Sequence, residues 1–135
     1  MVYENNYLSQ VSTRGDGLAG EDITFNQGLI KNIPSFLPSI ASCEVRGEVF
    51  MKKTEFLRLN EELKNNNYKL LANPRNAAAG TLRTLIPAQN RNLHFFAYQL
   101  LNYDLPSQLT CLQQLKKMGF VVSPTYQLFT SIHQV

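Results

Sequence analysis

The stretch Cys43-Glu44-Val45-Arg46-Gly47-Glu48-Val49-Phe50-Met51 decides the fold. Its alternation places Cys43, Val45, Gly47, Val49 and Met51 on one face of a strand, and Glu44, Arg46, Glu48 and Phe50 on the other. The first face asks for a core to cover it. Gly47, set between valines, marks a point where another group packs closely. Directly downstream, Thr54 is a candidate cap for a helix that gathers Phe56, Leu59 and Leu63 on one side. Asn65-Asn66-Asn67 ends that helix.

A second helix is written at Asn73-Pro74, with Asn as cap and Pro at the first helical position. Ala77-Ala78-Ala79 favours the helix. Gly80 interrupts it, and close packing against another backbone is the expected reason. Leu93 to Leu100 reads as an aromatic strand with His94, Phe96 and Tyr98 on one face and Phe95 and Ala97 on the other. Leu109, Leu112 and Leu115 predict a third helix closed by Gly119. Phe120–Ser123 and Tyr126–Phe129 read as short strands.

Upstream, Val2 to Thr13 reads as two strands around the turn pair Asn5-Asn6. Arg14-Gly15-Asp16-Gly17-Leu18-Ala19-Gly20 is a loop whose three glycines demand special backbone angles or close approach. Glu21 and Asp22 then suit the positive end of a short helix toward Ile30, and Pro34 and Pro38 bracket an extended connection. The resulting order, β-β-α-β-α-α-β-α-β-β, predicts an α+β domain with mixed or antiparallel sheets.

Composition bounds the rest. The chain has 135 residues, 44% apolar and 17% charged, with eight Phe and six Tyr, which excludes a disordered polypeptide and supports one domain or part of one. No apolar run approaches the ~20 residues that cross a bilayer, and polar residues follow Met1 where a secretory signal would be apolar. Cys43 and Cys111 are too few for a disulfide framework and read as reduced, cytoplasmic core thiols. Residues 1–67 carry seven Lys/Arg against nine Asp/Glu, whereas residues 68–135 carry six against Asp104 alone. A basic second half of net +5 suits a phosphate-bearing partner.

Two clusters stand out chemically. Glu44, Arg46 and Glu48 are either a solvated strand face or the floor of a nucleotide pocket, with Glu48 accepting hydrogen bonds from ribose hydroxyls. Arg75 and Arg83 lie eight residues apart, ~12 Å along a helix and roughly 80° around it. They are either ordinary surface arginines or a pair that follows two neighbouring phosphates. Asp16 is a turn former or a metal ligand. His94 and His133 have no Cys, Asp or Glu at ligand spacing and read as structural, and no Ser-His-Asp or Cys-His arrangement can be assembled.

Taken in order, the motifs are far more specific. Thr13-Arg14-Gly15-Asp16-Gly17-x-x-Gly20-Glu21-Asp22-Ile23-Thr24-x-Asn26, Ile33-Pro34, Glu44 to Glu48, Phe56-x-x-Leu59-Asn60, Ala72 to Arg83 and Phe95-Phe96-Ala97-Tyr98 closely resemble the adenylation domain of bacterial NAD-dependent DNA ligases. Gly119-Phe120 fits the same pattern, while Gln27-Gly28 and Ile86 depart from it locally. The resemblance spans essentially the whole chain.

It implies a nucleotidyltransferase (ATP-grasp-like) fold of antiparallel sheets and flanking helices. In such enzymes a lysine takes AMP from NAD, AMP passes to the 5′-phosphate of a nick, and the 3′-hydroxyl displaces it with Mg²⁺ assistance. By the same resemblance Arg14 binds NAD near its phosphates and ribose, Glu48 bonds the ribose, Tyr98 stacks on adenine, and Arg75 and Arg83 engage nucleotide or nick phosphates.

The implied partners are NAD, AMP and nicked double-stranded DNA, with no membrane and a monomeric full-length protein. Zn is implied only for a module outside this segment. The family's nucleophile lies in Lys-x-Asp-Gly, and none of Lys31, Lys52, Lys53, Lys64, Lys69, Lys116 and Lys117 is followed by x-Asp-Gly. Residues 1–135 are therefore expected to be a central, partial adenylation domain that cannot adenylate itself. A non-catalytic nucleic-acid-binding module and a scaffold that binds neither ligand are the alternatives.

Overall fold

The computed structural model describes residues 1–15, 17, 19–85 and 91–126. Among these, eight elements follow in order: β1 (Val2–Glu4), β2 (Tyr7–Gln10), a 3₁₀ turn (Thr24–Leu29), β3 (Cys43–Phe50), α1 (Lys53–Asn65), α2 (Pro74–Arg83), β4 (His94–Leu101) and α3 (Gln108–Lys117). The strands form one antiparallel sheet in the order β2-β1-β3-β4. The α+β expectation holds in that form.

The hairpin β1–β2 turns at Asn5 and Asn6, whose φ values of 50° and 73° are those a two-residue turn of the hairpin-favouring hand requires. β3 and β4 supply the main ladder, from Phe50↔His94 to Glu44↔Leu101. Their inward faces carry Cys43, Val45, Phe95, Ala97 and Leu100, all buried. Tyr3 is fully buried beside them; its hydroxyl donates to the Pro34 carbonyl at 2.6 Å and its ring meets Phe120 edge-on. Burying a side chain of this size contributes about 1.5–3 kcal/mol, and the hydroxyl's partner removes the cost of taking a polar group inside.

Gly47 is a close-packing point, as its place between valines predicts: a β-carbon there would collide with the Phe96 carbonyl oxygen and the Phe95 ring. Next to it the ladder slips. Arg46 faces Gln99 while Gly47 faces Ala97, so Tyr98 is the extra residue of a β-bulge. Its carbonyl accepts a 2.6 Å hydrogen bond from Gln108 Nε2 of α3.

Four local expectations are corrected. Thr54 does not cap α1; Lys52 occupies that position without a side-chain bond, and Thr54 lies inside the first turn. The helix after the glycine loop is a 3₁₀ turn that starts at Thr24, where the Asp22 carboxylate accepts from the Thr24 N–H at 2.9 Å. Among the described residues Gly80 meets nothing within 4 Å, so none of them requires a glycine there. Phe120–Ser123 forms no strand: it contributes an isolated bridge, Val122 parallel to Ala97, with the Ala97 N–H donating to the Val121 carbonyl and the Phe120 ring packed on Tyr3 and Phe95. The strand expected at Tyr126–Phe129 lies, beyond Tyr126, outside the described residues, as does His133. Cys43 and Cys111 are both free and buried.

Candidate functional site

The outward face of β3 and β4 carries the candidate site. Glu48 and Phe96 are ladder partners, and Phe50 pairs with His94 two rungs away. The rings of Phe50 and Phe96 sit 5.9 Å apart, and Phe50 also leans on His94 at 5.8 Å. Against this aromatic floor comes the N-terminal end of α2. Glu48, Phe50, Met51, Pro74, Arg75 and Phe96 line an open groove of about 400 Å³. A carboxylate, a guanidinium and an aromatic face thus meet in one recess, a donor–acceptor set matched to a sugar, a phosphate and a planar ring.

α2 reaches the groove because its first turn is fixed locally. The Asn73 side chain accepts from the Asn76 N–H at 2.8 Å, and Pro74 opens the helix. Ala77, Ala78 and Thr81 turn inward, and Thr81 is fully buried. The far end is fixed from a distance. Asn26 of the 3₁₀ turn, itself buried, aims its amide Nδ2 at the carbonyls of Leu82 (2.9 Å), Thr84 (2.8 Å) and Thr81 (3.4 Å). It covers the carbonyls that a helix end leaves without partners. Arg91 adds a bond to the Thr81 hydroxyl at 3.0 Å.

The next residue, Asn92, donates its N–H to Glu55 at 2.9 Å. Glu55 is buried, and Arg58 grips both its oxygens at 2.9 Å. The Arg58 hydrogen bonds, opposed by burial and helped by Asn92, hold the Glu55 carboxyl below the usual carboxylate range. His94, at the edge of the aromatic floor, shifts the same way for a different reason: burial, then Lys52, disfavour its charged form, with Glu55 opposing them.

The sequence candidates fall into three places. Glu48 and Arg75 share the groove. Arg83 leaves the last turn of α2 in another direction and pairs with Glu21 through Nε at 2.9 Å. That contact ties α2 to the loop bearing Arg14. The loop is closed by Thr13 and Glu21: the Thr13 N–H donates to the Glu21 carbonyl and the Glu21 N–H donates to the Thr13 hydroxyl. Arg14 is exposed within it, and Asp16 lies outside the described residues. Gly15 and Gly17 adopt φ values of 61° and 95°.

Tyr98 stands on the bulge, two residues beyond Phe96, and is not among the groove's lining residues. Arg46 is drawn sideways onto Glu44 at 3.0 Å, consistent with a polar strand face beside the groove. The sequence left three working features unassigned. Phe96 was visible as an aromatic on the right strand face. Asn26 and the Glu21–Arg83 pair had no local signal, because their partners are 55 to 62 residues away. Among the described residues no three His, Cys, Asp or Glu side chains gather as metal ligands.

Known proteins are similar to this chain along its length. The family model for the NAD-dependent DNA ligase adenylation domain matches residues 1–135. The DNA ligase of Lactobacillus acidophilus is 42% identical over 139 residues, covering 100% of this chain and 21% of that protein. The DNA ligase of Desulfitobacterium hafniense is 47% identical over 142 residues, covering 100% and 21%. That of Pseudothermotoga lettingae is 46% identical over 138 residues, covering 98% and 20%. The chain spans about a fifth of the length of these curated relatives. Matched from its first residue to its last, the chain belongs to the NAD-dependent DNA ligase adenylation domain family.

Proposed function

We propose that this chain is the adenosine- and phosphate-binding part of a nucleotidyltransferase fold, working in a cytoplasmic, NAD-dependent DNA ligase that seals nicks during replication and repair. The observation that carries the reading is the meeting of Glu48, Arg75 and Phe96 in one groove. Its volume of about 400 Å³ suits a nucleoside with part of its phosphate chain.

NAD bound there would supply the adenylyl group. Glu48 accepts hydrogen bonds from the ribose hydroxyls. Arg75 meets the phosphates and offsets charge that shifts during phosphoryl transfer. Phe96 floors the groove and offers its ring to the adenine, a stack worth ~1–3 kcal/mol. Arg14 and Arg83 extend the positive surface toward the phosphates of a nicked duplex. Mg²⁺ would arrive with those phosphates.

Titration of the chain with NAD and with AMP, followed by amide chemical shifts, tests this. Saturable shifts along β3 and the first turn of α2, lost in Glu48→Ala, are expected. Absence of any saturable shift would overturn the reading. The chain has no Lys-x-Asp-Gly, so incubation with NAD and Mg²⁺ should leave its mass unchanged. A covalent AMP adduct of roughly 329 Da would show that one of its own lysines is the nucleophile.

The basic second half and the outward-reaching Arg75 and Arg83 also favour contact with duplex DNA. Each neutralised phosphate should contribute about −0.9 to the log–log salt slope. An unchanged slope in Arg83→Ala would remove Arg83 from that contact.

A further inference from the structure

We propose that Glu21 is a positioning residue that presents Arg83 to a phosphate of a nicked duplex. The inference rests on the phosphate-binding reading above and adds to it a residue placed 62 positions away in sequence.

Two guanidiniums of this chain are held in contrasting ways. Arg58 is fully engaged: Nε and Nη2 go to the two oxygens of Glu55, and Nη1 goes to Glu62. Such an arginine is a structural tie with little left to offer a ligand. Arg83 is held differently. Glu21 Oε2 accepts from Nε alone, at 2.9 Å, and both side chains remain largely exposed, at 61% and 62%. A guanidinium has five N–H donors in a planar fork. Gripping Nε leaves the Nη1–Nη2 end, an edge suited to bidentate contact with a phosphate, without a bond among the described residues.

The grip is itself braced. Glu21 sits at the closing rung of the glycine loop, held through Thr13 by two backbone-anchored bonds. Ser12 and Asp22 bridge beside it, and the Ile23 N–H donates to the Val11 carbonyl at 2.8 Å. The other partner is equally fixed, because Asn26 holds the carbonyls of the turn that carries Arg83. Two rigid supports therefore converge on one long side chain. An unrestrained arginine gives up rotamer freedom to form a directed contact; Glu21 removes part of that loss before the phosphate arrives. The same pair could act oppositely, with the Glu21 carboxylate competing with phosphate for Arg83. The single bond through Nε favours presentation, because it leaves the phosphate-matching edge unengaged.

The test uses the whole chain, a nicked duplex carrying a 5′-phosphate at fixed salt, and the side-chain Nε–H signal of Arg83. Glu21→Ala should speed exchange of that signal with water and weaken duplex binding about two- to fivefold, the range an exposed ion pair spans. Glu21→Gln keeps an acceptor for Nε and should retain most of both. Glu61→Ala, which removes the same charge from an exposed position of α1, should change neither. In an Arg83→Ala background, Glu21→Ala should have no further effect. Tighter binding in Glu21→Ala, multiplicative losses in the double variant, or an Nε–H signal indifferent to Glu21 would each overturn the proposal. Unaltered chain that binds the duplex while Glu21→Ala binds it equally well overturns the positioning role alone. Unaltered chain that binds no duplex overturns the phosphate reading and the positioning role together.

Discussion

The two ends of α2 are held by opposite strategies. At its start, Asn73 and Pro74 are neighbours of the turn they secure, and the cap is a single 2.8 Å bond within the same segment. At its finish, the carbonyls of Thr81, Leu82 and Thr84 depend on Asn26, and the last arginine depends on Glu21. The first end faces the groove and carries Arg75; the second is braced by the glycine loop and carries Arg83. A helix whose entry is set locally and whose exit is set by tertiary contacts can form early, yet it points correctly only once the 3₁₀ turn has docked.

Removing the distant brace should have the largest effect. Asn26→Ala leaves buried carbonyls without a donor, and unfolding by urea should show a loss of about 2–3 kcal/mol. A loss no greater than that of Asn73→Ala would mean the two ends are held equally. The brace also runs through Glu55, which holds Asn92 beside the Arg91–Thr81 bond. Its folded pKa lies below the ordinary 4.5, so its contribution is present at neutral pH and disappears as pH falls through the lower folded value. Glu55→Gln should therefore cost about 1.5 kcal/mol at pH 7. The two proteins should converge in stability below the folded carboxyl's pKa; a gap that persists there would assign Glu55 a role independent of its charge.

The local end should respond more weakly. Asn73→Ala should lower stability by ~1 kcal/mol and leave the Arg83 region undisturbed in amide shifts. Between the ends, Gly80 stands in open space within the helix, and Gly80→Ala should raise the urea midpoint by the equivalent of about 0.5–1 kcal/mol. A decrease instead would show that a partner outside these residues needs the gap.

Sequence reading succeeded where the cause is local and periodic. The alternation around Gly47, the turn at Asn5-Asn6, the Asn73-Pro74 start and the leucine spacing of α3 each place one element without outside help. It faltered where tertiary context overrides a plausible local signal. Thr54 resembles a cap, but the chain enters α1 two residues earlier, at Lys52. Glu21 resembles a helix-start acid, yet its carboxylate reaches Arg83 instead. Gly80 suggested a close approach that is absent, whereas Gly47 has one. For the candidate site, residue types announced Glu48 and Arg75. Their shared groove depends on β4 and α2 arriving together, which spacing within either segment does not encode.

The bulge at Tyr98 has a further consequence. Subtract that residue, and β4 still alternates in step with β3: Phe95, Ala97 and Leu100 remain on the core side, and Gln99 still opposes Arg46. Tyr98 is thus a supernumerary member of its strand, inserted without altering the parity of the residues downstream. A position relieved of pairing duty can change its side chain without unregistering the sheet, leaving chemistry rather than architecture as the principal constraint on the residue that stands there.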